Sequence, residues 1–229
     1  MKTKNEIKLL KKVRLFSGLS KENLKKILKI TKRKTIKEGE IIFTENSPGN
    51  TLYILVRGRI KIFGQTEKRK KIFTYLEPNE FFGELALLGE RIRSASAQAV
   101  LDSELLIIEK SDFVKLLKKY PNVVLNLLSV LCRRLYYADK EIEFLSFHDV
   151  FGRIVQVLLS LNKKYGKNTP EGRKIDLILD HTEIAELAGT VREMVTRVLK
   201  NLKKLGCIDI INRQIVILDE NKLKGLLRR

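Results

Sequence analysis

Residues 180–200 read DHTEIAELAGTVREMVTRVLK, and their spacing decides the fold of the C-terminal part of the chain. Asp180-His181-Thr182-Glu183 opens a helix whose Ile184, Leu187 and Ala188 share one face. Gly189 then permits a sharp turn that a residue with a β-carbon resists. A second helix, from Arg192 to about Lys204, carries Val195, Val198, Leu199 and Leu202 on one stripe at about 100° per residue. Arg192, Glu193, Thr196, Arg197, Lys200 and Lys203 fall on the opposite side. An apolar back with a front of Arg, Glu and Thr suits the DNA major groove, where a guanidinium pairs with guanine O6/N7 and a carboxylate accepts from cytosine N4. Any one of these residues alone is an ordinary solvated side chain; the helix–Gly–helix spacing gives the set its meaning. Cys207–Ile211 and Gln214–Leu218 follow as the two strands of a wing.

Upstream, no Pro or Gly interrupts the stretch from Pro121 to Phe147. Val124, Leu128, Leu131, Leu135, Ala138, Ile142 and Leu145 recur at alternating spacings of 4 and 3, a heptad seam through which two parallel helices pair. A long helix packed on its own domain is the competing explanation. His148-Asp149 ends the seam as a hinge. Beyond it the pattern predicts a helix over Phe151–Lys164, a polar loop with Gly166, Pro170 and Gly172, and a short strand at Lys174–Ile178.

The motif at 180–200 resembles the recognition motif of the cyclic-AMP receptor protein (CRP/FNR) family of bacterial transcription regulators, and the resemblance extends over nearly the whole chain. It implies an α+β chain. An N-terminal β jelly-roll, cyclic-nucleotide-binding-like sensor would span 1–120, a long dimerisation helix 121–147, and a winged helix-turn-helix 148–229. By that resemblance Arg192, Glu193 and Arg197 match the base-reading residues, which implies a near-palindromic double-stranded site with TGTGA-like halves. Thr196 shares their face, and Thr182 can reach a phosphate. Val191 and Met194 stand where the family commonly has hydroxyl residues, so backbone affinity is less assured than base preference.

The N-terminal half carries a different pattern. Residues 6–34 read as amphipathic helix, and after Ile36 short β-branched and aromatic runs appear at Ile41–Thr44, Leu52–Val56, Ile60–Phe63, Ile72–Leu76 and Leu105–Glu109. Turn residues at Gly39, Pro48-Gly49, Gly58, Gly64 and Pro78-Asn79 separate them, as in an antiparallel barrel or jelly roll. Among these runs stands Phe81-Phe82-Gly83-Glu84-Leu85-Ala86, followed by Arg93-Ser94-Ala95. Gly83 and the small Ala86 let backbone N–H groups approach an anion, Arg93 offers a fork of donors, and Ser94 adds a hydroxyl. Together the residues resemble the cassette of cyclic-nucleotide-binding domains. That resemblance implies Glu84 on a ribose hydroxyl and Arg93 with Ser94 on a cyclic phosphate. A competing possibility is a buried Glu84–Arg93 ion pair in a sensor that has lost its ligand. Ala138 and Asp139 align where cyclic-AMP-responsive members present a Thr-Ser pair to the base. Cyclic AMP, cyclic GMP or another effector therefore stays open, and no obligatory cofactor is expected.

Composition limits the alternatives. The chain has 229 residues, 44% of them hydrophobic, with a net charge of +19. That is enough apolar material for real cores. The longest apolar runs, Leu52–Val56 and Leu105–Ile108, fall far short of the ~20 residues that span a bilayer, so no membrane partner is expected. The basic start has no apolar run after it, so no secretory signal and a cytoplasmic location are expected. Two cysteines cannot ligate a four-cysteine cluster, and the two histidines, His148 and His181, lie outside the sensor. No Gly-x-Ser-x-Gly or P-loop pattern occurs, so an enzyme is not expected. The +19 suits a polyanionic partner. Residues 1–40 hold 14 Lys+Arg against 4 Asp+Glu, and residues 150–229 hold 16 against 9. The N-terminal surplus fits flanking DNA, an acidic polymerase surface, or plain solvated lysines.

Overall fold

The computed structural model describes residues 2–67, 69–89 and 91–228, which form two units. The first holds residues 1–65 and 73–137, and the second 66–72 and 138–229. None of the described helices is long and apolar enough to cross a membrane.

The first unit begins with helices α1 (Lys2–Lys12) and α2 (Lys21–Lys29), joined through a 3-10 turn at Arg14–Phe16. Ser20 caps α2 by accepting from Asn23 N at 3.2 Å. The expected helical run to residue 34 stops short, because Lys32–Ile36 form an edge strand, β1, paired with β6 (Ser96–Glu109). Its lysines look helical in sequence, but on a sheet edge they keep another strand from pairing there. The remaining strands are β2 (Ile41–Phe43), β3 (Thr51–Gln65), β4 (Lys70–Leu76) and β5 (Phe81–Phe82), in the order β1-β6-β3-β4, with β2 on β6 and β5 on β3. Together these strands form one six-stranded sheet. The runs Leu52–Val56 and Ile60–Phe63, predicted as two strands around a turn at Gly58, are one strand. Gly58 sits at φ +96° where the register with β6 shifts, so it makes a bulge rather than a reversal.

Helices α3 (Leu85–Leu88), α4 (Lys110–Lys119) and α5 (Pro121–Phe147) complete the element order around the sheet. Leu52 and Ile54 of β3 and Leu106 and Ile108 of β6 pack with Phe16, Leu24, Phe113 and Val123. The alternate face gives Leu55 and Leu105 to an inner cluster with Ile60, Phe82 and Ala97. Both faces of these strands are buried, which explains their unbroken apolar runs.

The second unit starts on the distal part of α5. Asp149 caps α6 (Val150–Tyr165), accepting from Gly152 N at 2.8 Å, so the expected hinge is a true helix break. The predicted polar loop is a hairpin, β7 (Gly166–Thr169) and β8 (Gly172–Ile175), turning at Pro170. It joins β9 (Ile208–Ile211) and β10 (Gln214–Ile217) in a sheet ordered β7-β8-β10-β9, so the wing has four strands rather than two. Helices α7 (His181–Ala188), α8 (Arg192–Lys204) and α9 (Glu220–Gly225) pack with α6 over Ile154, Leu158, Ile184, Val195, Leu199 and Leu223.

Candidate effector pocket and DNA-reading helix

In the first unit the segment 46–49 clamps the segment 91–93 that leads out of the cassette. Asn46 N donates to Arg93 O at 2.8 Å, Gly49 N to Arg91 O at 2.9 Å, and Arg93 N to Ser47 O at 2.9 Å. These bonds turn the Arg93 side chain inward, where it is 3% exposed. Its Nη1 donates to Gly83 O at 2.9 Å, and its Nη2 to Thr51 O and Thr51 Oγ1, both at 3.0 Å. The guanidinium lies 4.3 Å from the Phe43 ring centre and 5.5 Å from that of Tyr53. Burial lowers its pKa, with Tyr53 and Glu84 opposing the shift, and an arginine stays charged regardless.

Glu84 is 1% exposed, and its Oε1 accepts from Arg134 Nη1 at 2.6 Å. Arg134 Nη2 donates to Phe81 O at 2.6 Å. The pair considered in the sequence, Glu84 with Arg93, is therefore not the one formed. Backbone carbonyls hold Arg93, while α5 delivers a second arginine to the carboxylate. The reason is a second stripe on α5: Val123, Leu127 and Val130 are buried at spacings of 4 and 3, and four residues further lies Arg134. That continuation was the available signal for Arg134, which sequence inspection overlooked.

Two polar atoms in this pocket stay buried without a hydrogen bond: Arg93 Nε and Glu84 Oε2. Leaving such atoms unpaired is costly. An anionic oxygen satisfies the first and a hydroxyl donor the second. Two glycines make room for the Arg93 side chain. A β-carbon on Gly83, at φ +83°, would stand 2.6 Å from Arg93 Nη1. One on Gly49 would stand 2.4 Å from the Ala86 β-carbon and 2.7 Å from Arg93 Nε. Gly49 was legible only as a turn residue, and Thr51 lay outside the strand run that begins at Leu52. We expect Gly49→Ala to lower stability by about 1–3 kcal/mol through overpacking, measured as a fall in denaturant midpoint. An unchanged midpoint would show that the cradle yields freely.

Of the other expected cassette residues, Ala86 is buried, Leu85 is 49% exposed and Ser94 is exposed. Ala138 and Asp139 are exposed on α5 and belong to the second unit. On the same helix Leu128, Leu135 and Ile142 are 51%, 63% and 63% exposed, while Val124 and Leu131 are half-buried. The heptad stripe thus lies on a different face from the one packed in the core. Leu145 lies outside the described side chains.

In the second unit Asp180 and Glu183 form a capping box at the start of α7, with Glu183 N donating to Asp180 Oδ1 at 2.8 Å and Asp180 N to Glu183 Oε2 at 3.1 Å. Gly189, at φ +64°, ends that helix in the left-handed region. Val195, Val198, Leu199 and Leu202 are buried behind α8, and Arg192, Glu193, Thr196, Arg197 and Lys200 are exposed in front. Lys203 is exposed but pairs with Asp209 on the wing at 2.5 Å, which removes it from the expected front. Thr182 is exposed near the start of α7. Val191 caps α8 without a side-chain hydrogen bond, forgoing about 1 kcal/mol that Ser or Thr supplies there.

A nucleotide-binding-type sandwich and a winged helix-turn-helix in one chain define a DNA-binding transcription regulator. Residues 33–120 match the cyclic nucleotide-binding domain family, and residues 152–226 the Crp-like helix-turn-helix domain. The chain is 36% identical over 195 residues to a cyclic AMP receptor protein of Thermus thermophilus, covering 85% of this chain and 87% of that one. It is 33% identical over 186 residues to a global nitrogen regulator of Synechocystis, covering 80% and 83%. Among solved structures it resembles the c-di-GMP responsive global regulator CLP of Xanthomonas campestris, with a TM-score of 0.79, 25% identity, and coverage of 87% and 100%. The chain belongs to the CRP/FNR family of transcription regulators.

Proposed function

We propose that this regulator is a cytoplasmic homodimer whose binding to near-palindromic, TGTGA-like DNA is gated by a cyclic nucleotide, cyclic AMP or cyclic GMP. The domain division that goes with it is 1–120 for the sensor, 121–147 for the dimerisation helix and 148–229 for the DNA-binding part. The observation that carries the effector is the buried pair of unfilled valences, Arg93 Nε–H and Glu84 Oε2. The ring phosphate of a cyclic nucleotide supplies the anionic oxygen, and its ribose 2′-hydroxyl supplies the donor. Gly83, Leu85, Ala86 and Ser94 frame the phosphate, and Ala138 with Asp139 stand for the base.

Gating is a population shift, in which the effector stabilises the arrangement that presents both recognition helices. The two α8 helices of the dimer would then enter successive major grooves about 34 Å apart. Arg192, Glu193, Thr196 and Arg197 read bases, and Thr182 touches a phosphate. The hairpin at Gly166–Arg173 is the proposed contact for RNA polymerase. Calorimetry with cyclic AMP and cyclic GMP, alongside operator binding with and without each, tests the gate. Tight operator binding that no nucleotide alters would favour the second reading, a constitutive or differently gated regulator. The similarity to both a cyclic AMP receptor protein and a c-di-GMP responsive regulator keeps that reading in play.

The exposed stripe of Leu128, Leu135 and Ile142 supports the dimer. Leu135→Asp would place a carboxylate in the seam, and sedimentation should find monomers that no longer bind the operator. A dimeric variant would refute the seam.

A further inference from the structure

His181, the first residue of α7, has its Nδ1 2.8 Å from Thr196 Oγ1 on α8. The same oxygen lies 3.1 Å from the Arg192 carbonyl, one turn back on α8. A carbonyl only accepts, so it takes the single hydroxyl hydrogen of Thr196. His181 Nδ1 then carries a hydrogen and donates it to Oγ1, and the network assigns the tautomer. The chain of donors runs from His181 Nδ1–H to Thr196 Oγ1–H to Arg192 O. Two anchors on a β-branched side chain leave χ1 one position. What the exposed Thr196 still offers outward is one lone pair and a methyl group.

We infer that His181 is a positioning residue that makes Thr196 an acceptor, so that Thr196 selects a base bearing an amino group in the major groove. Adenine N6 and cytosine N4 are the two such donors; guanine and thymine present acceptors there and are disfavoured. The inference rests on the proposal that the front of α8 reads bases. Without the imidazole one of the two anchors is gone, so the hydroxyl can turn away from the Arg192 carbonyl and donate, and the discrimination fades.

Selection of randomised duplexes by the full-length protein, followed by sequencing, tests this for wild type, Thr196→Ala, His181→Ala, their double variant and His181→Asn. Wild type should enrich A or C at one position. Thr196→Ala and His181→Ala should each lower that enrichment by about three- to tenfold, the double variant no further, and His181→Asn should keep it because its amide N–H replaces Nδ1–H. Preferences that depend on Arg192 and Arg197 should persist in every variant, which confirms that α8 is intact. Equal loss on all duplexes in His181→Ala would make it a phosphate contact and overturn the inference. An unchanged preference in His181→Ala or in Thr196→Ala, G or T at the Thr196-dependent position, additive losses, or loss of Arg-dependent preferences would overturn it too. A wild type without any base preference overturns the base-reading role of α8, and this inference with it.

Discussion

Arg93→Ala should lower cyclic-nucleotide affinity by about 10- to 150-fold, because the charge-assisted bond from Nε, worth about 1.5–3 kcal/mol, disappears. Calorimetry on the purified variant reads this directly. The substitution also strips donors from the buried carbonyls of Gly83 and Thr51, so the first unit should lose stability as well. Arg93→Lys separates the two effects: it keeps a cation in the pocket but loses the planar fork. Its affinity should still fall while the fold is better preserved. The helix-turn-helix has its own apolar core, built from α6 to α9, so its fold should survive. If the operator complex formed by Arg93→Ala no longer responds to nucleotide while wild type does, the gate runs through this pocket. Unaltered nucleotide affinity in a folded Arg93→Ala would overturn the pocket assignment.

The second large effect concerns the recognition helix. Arg192→Ala or Arg197→Ala should each cost about 1–3 kcal/mol per half-site and relax preference at one base pair. In a symmetric dimer the loss applies to both half-sites, so operator affinity should fall by orders of magnitude in gel-shift titrations. Both side chains are exposed with the apolar stripe of α8 locked behind them, so the substitutions should leave the fold untouched. Loss of equal size on random DNA would make these arginines phosphate contacts only. The salt dependence should drop little, since bulk charge supplies the non-specific attraction.

Much of the architecture was legible in the sequence because local rules and burial agreed. The helix-turn-helix shows why: Asp180, Gly189 and the stripe Val195–Leu202 each satisfy a cap, a turn or a face that only one backbone path permits. Where the reading failed, a local signal had two structural outcomes. Gly58 looked like a turn and is a bulge, because both flanking runs pair with the same long strand, β6. Lys32–Lys34 looked helical and lie on a sheet edge, where solvent accepts any polar residue. Gly166 and Gly172 looked like a loop and start the strands of a hairpin.

For the pocket, Gly83, Glu84, Ala86 and Arg93 could be picked out as a set, since they sit within one short stretch. Their partners could not. Gly49 and Thr51 come from one part of the chain and Arg134 from another, 50 residues beyond Glu84, and long-range pairing leaves no local period. By itself the sequence determined the two kinds of fold, the heptad stripe and the front of α8, because periodicity and turn chemistry are properties of neighbours along the chain. Only the tertiary structure decided that Arg134 rather than Arg93 answers Glu84, and that Arg93 Nε and Glu84 Oε2 are left without a hydrogen bond. A buried charge is satisfied by whatever the packing brings within hydrogen-bond reach, and that is a property of three dimensions.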